Sequence, residues 1–480
     1  MTNFKAVSYI NGVFLCWLAV ALCVPLIYDV IFSTGKCVYV FAPSILACIF
    51  LGISIILSCK IDDDKVSLSR QDIFLLTVSL WVTIPIFSAL PFYIYKDMSV
   101  NFITALFEST SGLTTTGTTI YENVEILPRA IHVWRFMLHL IGGVGIVALG
   151  IVALPLMKVG GMQLFLAENS DKSQKFLPRA SQIAGLFVWT YVVIIAIFAI
   201  WLKLAGMSLF DSVCHSISAI ATGGFSTKND SITHFHSNYI TFILSLAMLT
   251  GGLTFLEIVK CSRNGFKGFF KSQQTRGYFK IILISSLGCI LVSYFIDKDN
   301  VTVKNSIDYF FEILSSMTTT GFSMPDSGHQ SFPAFQTILM IVTVIGSCSG
   351  STAGGVKVFR FQILYSVLKN HFKQVAKPYD VSIAKYQGKM IDDDLATSVI
   401  TFCSLFAVTV MTSVLSICMT GADGVSSSFA VISSICNAGY DIHLHSLSWI
   451  ARFILVIDMI VGRLEVIPTL IIFTHVFWKK

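Results

Sequence analysis

The chain has 480 residues, 54% hydrophobic and 12% charged, with 33 Lys and Arg against 27 Asp and Glu for a formal net charge of +6. A soluble domain needs about a quarter of its residues charged to cover its surface, so this composition excludes a water-soluble globule and makes membrane lipid the surrounding partner. The twelve cysteines lie mostly inside apolar runs with no CxxC pair, which reads as small buried hydrophobes and supports neither a disulfide framework nor a zinc site.

Apolar runs long enough to cross a bilayer as helices are read at 11–32, 38–59, 73–95, 132–156, 183–204, 238–259, 279–297, 335–368, 396–419 and 448–477. The first is not a cleavable signal: it has a single Lys5, no clear cleavage box and a second span close behind. Four shorter, less apolar segments near 99–112, 207–220, 303–317 and 424–436 are too short to span and read as re-entrant helices. An all-α polytopic membrane protein is therefore expected.

Basic residues set the orientation. Lys60, Lys65 and Arg70 form one group, and Lys158, Lys172, Lys175 and Arg179 another. Lys260, Arg263, Lys267, Lys271, Arg276 and Lys280 follow, then Lys357, Arg360, Lys369, Lys373, Lys377, Lys385 and Lys389, and finally Lys479 and Lys480. With ten spans all of these fall on the side of the N-terminus. The positive-inside rule makes that side the cytoplasm and places both termini there; an inner (plasma) membrane is the expected location. Topology thus accounts for the net charge, and nucleic-acid binding gains no support from it.

The short segments carry a repeat. Phe107–Gly117 reads FESTSGLTTTG and Phe311–Gly321 reads FEILSSMTTTG; weaker copies run from Ser218 to Gly224 (SAIATGG) and from Ser433 to Gly439 (SSICNAG). A Ser (Ser111, Ser218, Ser315, Ser433) stands six residues before each aligned glycine, and Gly117, Gly224, Gly321 and Gly439 are spaced 107, 97 and 118 residues apart. Each interval holds an outgoing span, a basic stretch, a returning span and a re-entrant helix. All four loops therefore enter from the outer side and can close around one axis. The expected organisation is two N-terminal helices (1–60), then pore repeats at 61–160, 161–270, 271–380 and 381–480, arranged as helix, pore loop and helix with pseudo-fourfold symmetry.

That loop chemistry suits a monovalent cation. A desolvated cation needs rings of oxygen dipoles, and glycine admits the unusual backbone angles that turn carbonyls toward an axis. The Thr runs, Thr114–Thr116 and Thr318–Thr320 with Thr222, add hydroxyls, and each short helix aims its partly negative C-terminal end at the pore. The competing reading, TTTG as a polar turn between helices, fits one copy but not four at near-regular spacing.

These loops, with GGVG at 142–145, GGMQLF at 160–165, GMSLFDSVCHSISAIATGGFST at 206–227, GSTAGGVKV at 350–358 and GRLE at 462–465, resemble the TrkH branch of bacterial potassium transporters over essentially the whole chain. Its relatives are KtrB and the plant and fungal HKT/Trk proteins. The resemblance implies a potassium-uptake subunit that dimerises in the membrane and is gated by a cytosolic ring of TrkA-like nucleotide-binding subunits. It assigns potassium coordination to Thr115, Thr116, Gly117, Thr222, Gly223, Gly224, Thr319, Thr320, Gly321, Asn437, Ala438 and Gly439. The fourth loop departs from the family pattern, continuing into Tyr440-Asp441 instead of Pro-Gly. Asp441 there would attract cations at the outer mouth.

The 335–368 run is too long for one span and is interrupted by Gly346-Ser347-Cys348-Ser349-Gly350-Ser351-Thr352-Ala353-Gly354-Gly355. So many glycines and small polar residues cannot form a stable lipid-facing helix, and a helix broken at membrane depth borders a cavity or ion path. By resemblance this is the intramembrane loop below the filter, with Gly346, Gly350, Ser351, Thr352, Gly354, Gly355 and Arg463 as gate residues. A static close-packing site is the alternative. The stretch is not a phosphate-binding loop, because Lys and Ser/Thr do not follow the final glycine as that motif requires.

Arg463 and Glu465 lie inside the last apolar run with Asp458 nearby. Intramembrane charge is a functional candidate: Arg463 either sets an electrostatic barrier below the filter or forms a helix-locking pair with Asp458 or Glu465. Glu108 and Glu312 on the re-entrant helices read as hydrogen-bond anchors for the loops. His234-Phe235-His236 and His443-Leu444-His445 are either solvated or a transition-metal pair. The basic loops at 260–280 and 357–389 either dock an acidic partner or express positive-inside bias alone.

Potassium is the expected transported ion, with no other cofactor. A secondary transporter would show paired halves and a midplane site, and an enzyme would need a nucleophile–base set or HExxH-type ligands, which are not read here. The alternative function is a Na⁺- or H⁺-coupled cation carrier of weaker potassium selectivity.

Overall fold

The computed structural model describes residues 3–33, 35–59, 68–95, 100–152, 180–264, 270, 272–296, 303–324, 333–377, 379, 383–440 and 447–479. The GGMQLF motif, Asp441, His443 and His445 lie outside them, as do the basic residues Lys60, Lys65, Lys158, Lys172, Lys175, Arg179, Lys267, Lys271 and Lys480.

The first two helices, α1 (Phe4–Phe32) and α2 (Val38–Ser58), pack as a hairpin. A Cβ on Gly12 would lie 2.9 Å from the Gly52 carbonyl oxygen, and one on Gly52 would lie 2.8 Å from the Cys16 sulfur. Small residues here let the two backbones approach, as membrane helix pairs require. Asn11 on α1 then donates to Ser79 at 2.9 Å, tying the hairpin to the repeats.

Each repeat begins with an incoming helix: α3 (Arg70–Ser88) continued by α4 (Leu90–Ile94), then α7 (Ala180–Leu204), α11 (Gln273–Ile296) and α15 (Asp393–Cys418). The membrane-length apolar helices among the described residues number six, and they are the N-terminal pair and these incoming spans. The short helices are α5 (Phe102–Leu113), α8 (Leu209–Ile220), α12 (Val303–Met317) and α16 (Gly424–Ile435), close to the re-entrant segments read from sequence. Asn101, Ser208 and Asp423 cap three of them by accepting from backbone N–H groups of the first turn. The backbone N–H of Ser426 holds the exposed Asp423 carboxyl below its ordinary range.

The outgoing helices differ from expectation. α6 (Arg129–Val152) runs unbroken, but 238–259 is two helices, α9 (Asn238–Gly251) and α10 (Phe255–Asn264). Likewise 448–477 is α17 (Trp449–Arg463), α18 (Val466–Ile471) and α19 (His475–Trp478). In the third repeat α13 (Pro333–Ile345) and α14 (Val358–Ala376) flank the expected loop. All four outgoing segments pass the C-terminal ends of the short helices at close range. A Cβ on Gly142, Gly251 or Gly462 would collide with the carbonyl oxygen of Leu113, Ile220 or Ile435, and Ser347 donates to the matching Met317 carbonyl at 2.7 Å. Each carbonyl stands four residues before the aligned glycine of its loop. The outgoing segment must therefore present a small residue there; in the second, third and fourth repeats the helix ends beside it, whereas α6 continues through Gly142.

Between α14 and α15, β1 (Lys385–Tyr386) and β2 (Lys389–Met390) form an antiparallel hairpin turned by Gln387 and Gly388, both at positive φ. Buried Tyr386 docks it on Phe359, Ile363 and Val399.

Candidate functional site

The four loops adopt one backbone course. Thr115, Thr222, Thr319 and Asn437 have φ of 54°, 52°, 52° and 54°, and Gly117, Gly224, Gly321 and Gly439 have φ of 83°, 79°, 83° and 67°. Left-handed backbone costs a non-glycine residue about 1–2 kcal/mol and persists only where its surroundings over-determine it. The shared bond that does so runs from the N–H of Thr116, Gly223, Thr320 and Ala438 to the carbonyl of Ser111, Ser218, Ser315 and Ser433, at 2.9, 2.8, 2.8 and 2.8 Å. The serines picked out by sequence thus anchor each loop through their carbonyls.

The loops close into a ring. A Cβ on Gly117 would collide with the carbonyl of Gly223, one on Gly224 with Thr320, one on Gly321 with Ala438, and one on Gly439 with Thr116. Each glycine therefore backs onto the next copy, and the fourth returns to the first. All twelve residues expected to coordinate potassium lie in this ring.

Side chains brace it. The hydroxyls of Thr114 and Thr116, and of Thr318 and Thr320, pair at 2.7 Å within their own copies. Asn437 Nδ2 reaches Thr116 Oγ1 of the first copy and the Met459 carbonyl of α17, both at 3.0 Å. Glu108 accepts from the Ile120 N–H at 3.0 Å and pairs with buried Arg135 at 2.8 Å; Glu312 accepts from the Met324 N–H at 2.8 Å. Both glutamates hold the segment leaving their loop, as their sequence reading anticipated.

The 346–357 loop lies against the ring. Thr352 Oγ1 lies 3.2 Å from Thr222 Oγ1 and donates within 3.0 Å of the Ile220 carbonyl, while the Gly354 N–H donates to Thr319 Oγ1 at 2.7 Å. Gly346, Gly350 and Gly355 have φ of 67°, 74° and 77°, and Ser351 Oγ donates to the Cys348 carbonyl at 2.6 Å. Buried Arg463 donates to the Thr352 carbonyl at 2.7 Å and to Gly142 at 3.4 Å. All the expected gate residues are thus brought together. Arg463 pairs with neither Asp458, which accepts from Ser413 at 2.7 Å, nor Glu465.

Glu465 pairs instead with Arg360 at 2.6 Å. This corrects the reading of Lys357 and Arg360 as cytoplasmic-loop charges: Arg360 is buried and Lys357 half-buried, its ammonium bonded to the Ala353 carbonyl. Sequence reasoning missed the Arg360–Glu465 pair, because Arg463 stands two residues before Glu465 and offered a nearer cation for that intramembrane carboxylate. His234 and His236 are exposed, and among the described residues no group of three or more His, Cys, Asp or Glu is placed to hold a metal ion.

A family model described as TrkH, a cation transport protein, matches residues 39–480. The chain is 33% identical over 426 residues to the Trk system potassium uptake protein TrkH of Salmonella typhimurium, covering 87% of this chain and 88% of that one. It is 31% identical over 424 residues to the Trk system potassium uptake protein TrkI of Halomonas elongata, covering 86% and 85%. The crystal structure of the potassium transporter TrkH from Vibrio parahaemolyticus matches with a TM-score of 0.91 at 27% identity, over 100% of both chains.

Proposed function

The chain belongs to the TrkH family of cation transport proteins, and from that premise we infer that it takes up potassium through a pore whose filter is the ring of Gly117, Gly224, Gly321 and Gly439 with the residues before them. The observation that carries this reading is the ring closure itself, each glycine seated on the carbonyl preceding the next. Stacked carbonyls replace the hydration shell of a cation without holding it as a fixed anion would.

The 346–357 loop is the gate. Its Thr352 and Gly354 engage Thr222 and Thr319, side chains that the filter reading assigns to the ion. Arg463 keeps the loop in place through the Thr352 carbonyl and sets a positive barrier below the filter. Activation would withdraw the loop. The chain works as the membrane subunit of a Trk-type system in the inner membrane, with both termini cytoplasmic, as a homodimer served by a cytosolic nucleotide-binding ring. It carries no catalytic activity.

The test is ion flux in proteoliposomes, comparing K⁺, Rb⁺, Na⁺ and Li⁺ for the wild type and Gly321→Ser. K⁺ and Rb⁺ should pass far better than Na⁺, and the substitution should degrade that preference. A selectivity indifferent to Gly321 would overturn the filter reading and favour a coupled carrier.

A further inference from the structure

The residues following the filter glycines are Thr118, Phe225, Phe322 and Tyr440. Three are aromatic, and each aromatic side chain leans on the preceding repeat. Phe225 of the second copy lies between groups of the first: the Arg135 guanidinium is 4.0 Å from its ring centroid, and the His139 ring stacks on it at 4.3 Å and 13°. Its ring edge also lies 3.3 Å from where a Cβ on Gly112 would stand, so the missing side chain makes room for it. Phe322 of the third copy, fully buried, stacks on His215 of the second at 6.0 Å and 28°. Tyr440 of the fourth copy hydrogen-bonds through its hydroxyl to Ser316 of the third, while its N–H donates to Ser433 of its own copy at 2.9 Å. Gly112 and Ser316 hold the same place, five residues before their filter glycines.

The remaining seam, from the fourth copy to the first, has no aromatic because Thr118 stands there; the Asn437 to Thr116 bond at 3.0 Å crosses it instead. Every pair of adjacent copies is thus held by a side chain just outside or just beneath the ring.

We propose that Phe225, Phe322 and Tyr440 are positioning residues that fix the circumference of the filter and thereby set its preference for potassium over sodium; this rests on the filter reading above. A sodium ion is smaller, so a carbonyl ring must contract to coordinate it as well. Contraction would pull each strand away from the repeat that its aromatic residue is seated on. Phe225 and Phe322, buried in a close-packed interior, cannot follow without opening a void, and half-buried Tyr440 would break its bond to Ser316. The departure from Pro-Gly in the fourth loop is on this reading no loss of control, because Tyr440 supplies a tie that a proline there could not.

Potassium and sodium flux in proteoliposomes decides the matter, using Tyr440→Phe, Ser316→Ala, their double variant and Phe322→Leu, with Gly321→Ser as reference. Potassium uptake should persist in the first four, while the K⁺/Na⁺ ratio falls roughly tenfold, or about 1.4 kcal/mol. The double variant should fall no further than Tyr440→Phe alone, because that substitution already removes the bond to Ser316. Unchanged ratios in Tyr440→Phe and Ser316→Ala, with Gly321→Ser still lowering selectivity, would overturn the inference and leave the filter standing. A ratio indifferent to Gly321 as well would sink both. Should Phe322→Leu fail to fold, the tyrosine and serine variants, which delete one hydroxyl each, carry the decision alone.

Discussion

The guanidinium of Arg360 lies 2.6 Å from the carboxylate of Glu465, joining the first turn of α14 to the break between α17 and α18 across 105 residues of chain. Arg360 also donates to the Val356 carbonyl at 2.9 Å and stacks over Phe402 with its carbon 3.7 Å from the ring centroid. One cation therefore clamps the inner end of the 346–357 loop to the fourth repeat. Arg360→Met should lower stability by about 1–3 kcal/mol, since it removes a charge-assisted bond and leaves the half-buried Glu465 without its partner. Arg360→Met with Glu465→Gln should recover much of that. Thermal unfolding in detergent reads both; losses that simply add would mean the two groups act independently.

Gly224→Ala should abolish selective uptake while the protein still inserts. Its Cβ would fall on the Thr320 carbonyl of the next copy, and its φ of 79° strains any side chain. Gly117→Ala and Gly439→Ala should match it, because the ring gives every copy the same neighbour. Flux measured on all three would argue against a fourfold ring if one variant kept full selectivity.

Much of this was legible before the fold was known, and the reasons differ by element. The short helices were recognised because Ser, Thr and Gly recur in register, and the structure uses that register in the Ser111, Ser218, Ser315 and Ser433 carbonyl bonds. The breaks in the second and fourth outgoing helices were not recognised. Hydropathy alone does not distinguish Gly251 and Gly462, which press on the Ile220 and Ile435 carbonyls beside a helix end, from Gly142, which presses on the Leu113 carbonyl within the continuous α6. The Arg360–Glu465 pair was hidden for a related reason: Arg360 stands in a lysine-rich stretch whose charge pattern reads as a loop, and only packing buries it.

Asn437→Thr tests the cross-copy brace. The substitution would match the fourth copy to the threonines at the same backbone angle, yet removes donors to Thr116 and to the Met459 carbonyl. A buried acceptor left unpaired costs about 1–3 kcal/mol. The variant should unfold at lower temperature than the wild type despite its closer likeness to the other copies. An unchanged melting temperature would show that the Asn437 bonds contribute nothing.

Asp423 gives a pH dependence with a defined sign. Its carboxyl is held below the ordinary range by the Ser426 and Val425 N–H groups at the start of α16. Stability from this cap is present above the unfolded carboxyl pKa, near 3.9, and is lost as pH falls through the lower folded value. The difference in melting temperature between the wild type and Asp423→Ala should therefore be constant near neutrality and shrink only in strong acid. A difference that closes already between pH 5 and 7 would assign the effect to another group.

The loop beneath the filter makes the sharpest functional prediction. Arg463 reaches the Thr352 carbonyl at 2.7 Å, and Thr352 in turn meets the Thr222 hydroxyl and the Ile220 and Gly251 carbonyls. Removing the guanidinium takes away a charge-assisted bond, worth about 1.5–3 kcal/mol, and, on the proposed function, a positive barrier in the ion path. Arg463→Gln should therefore raise basal potassium flux roughly tenfold or more in proteoliposomes that contain this chain alone. Deleting part of 346–355 should act in the same direction, through loss of the obstruction instead of its tether. Flux that stays at the wild-type level in both variants would make the loop a packing element, and the pore would have to be closed elsewhere.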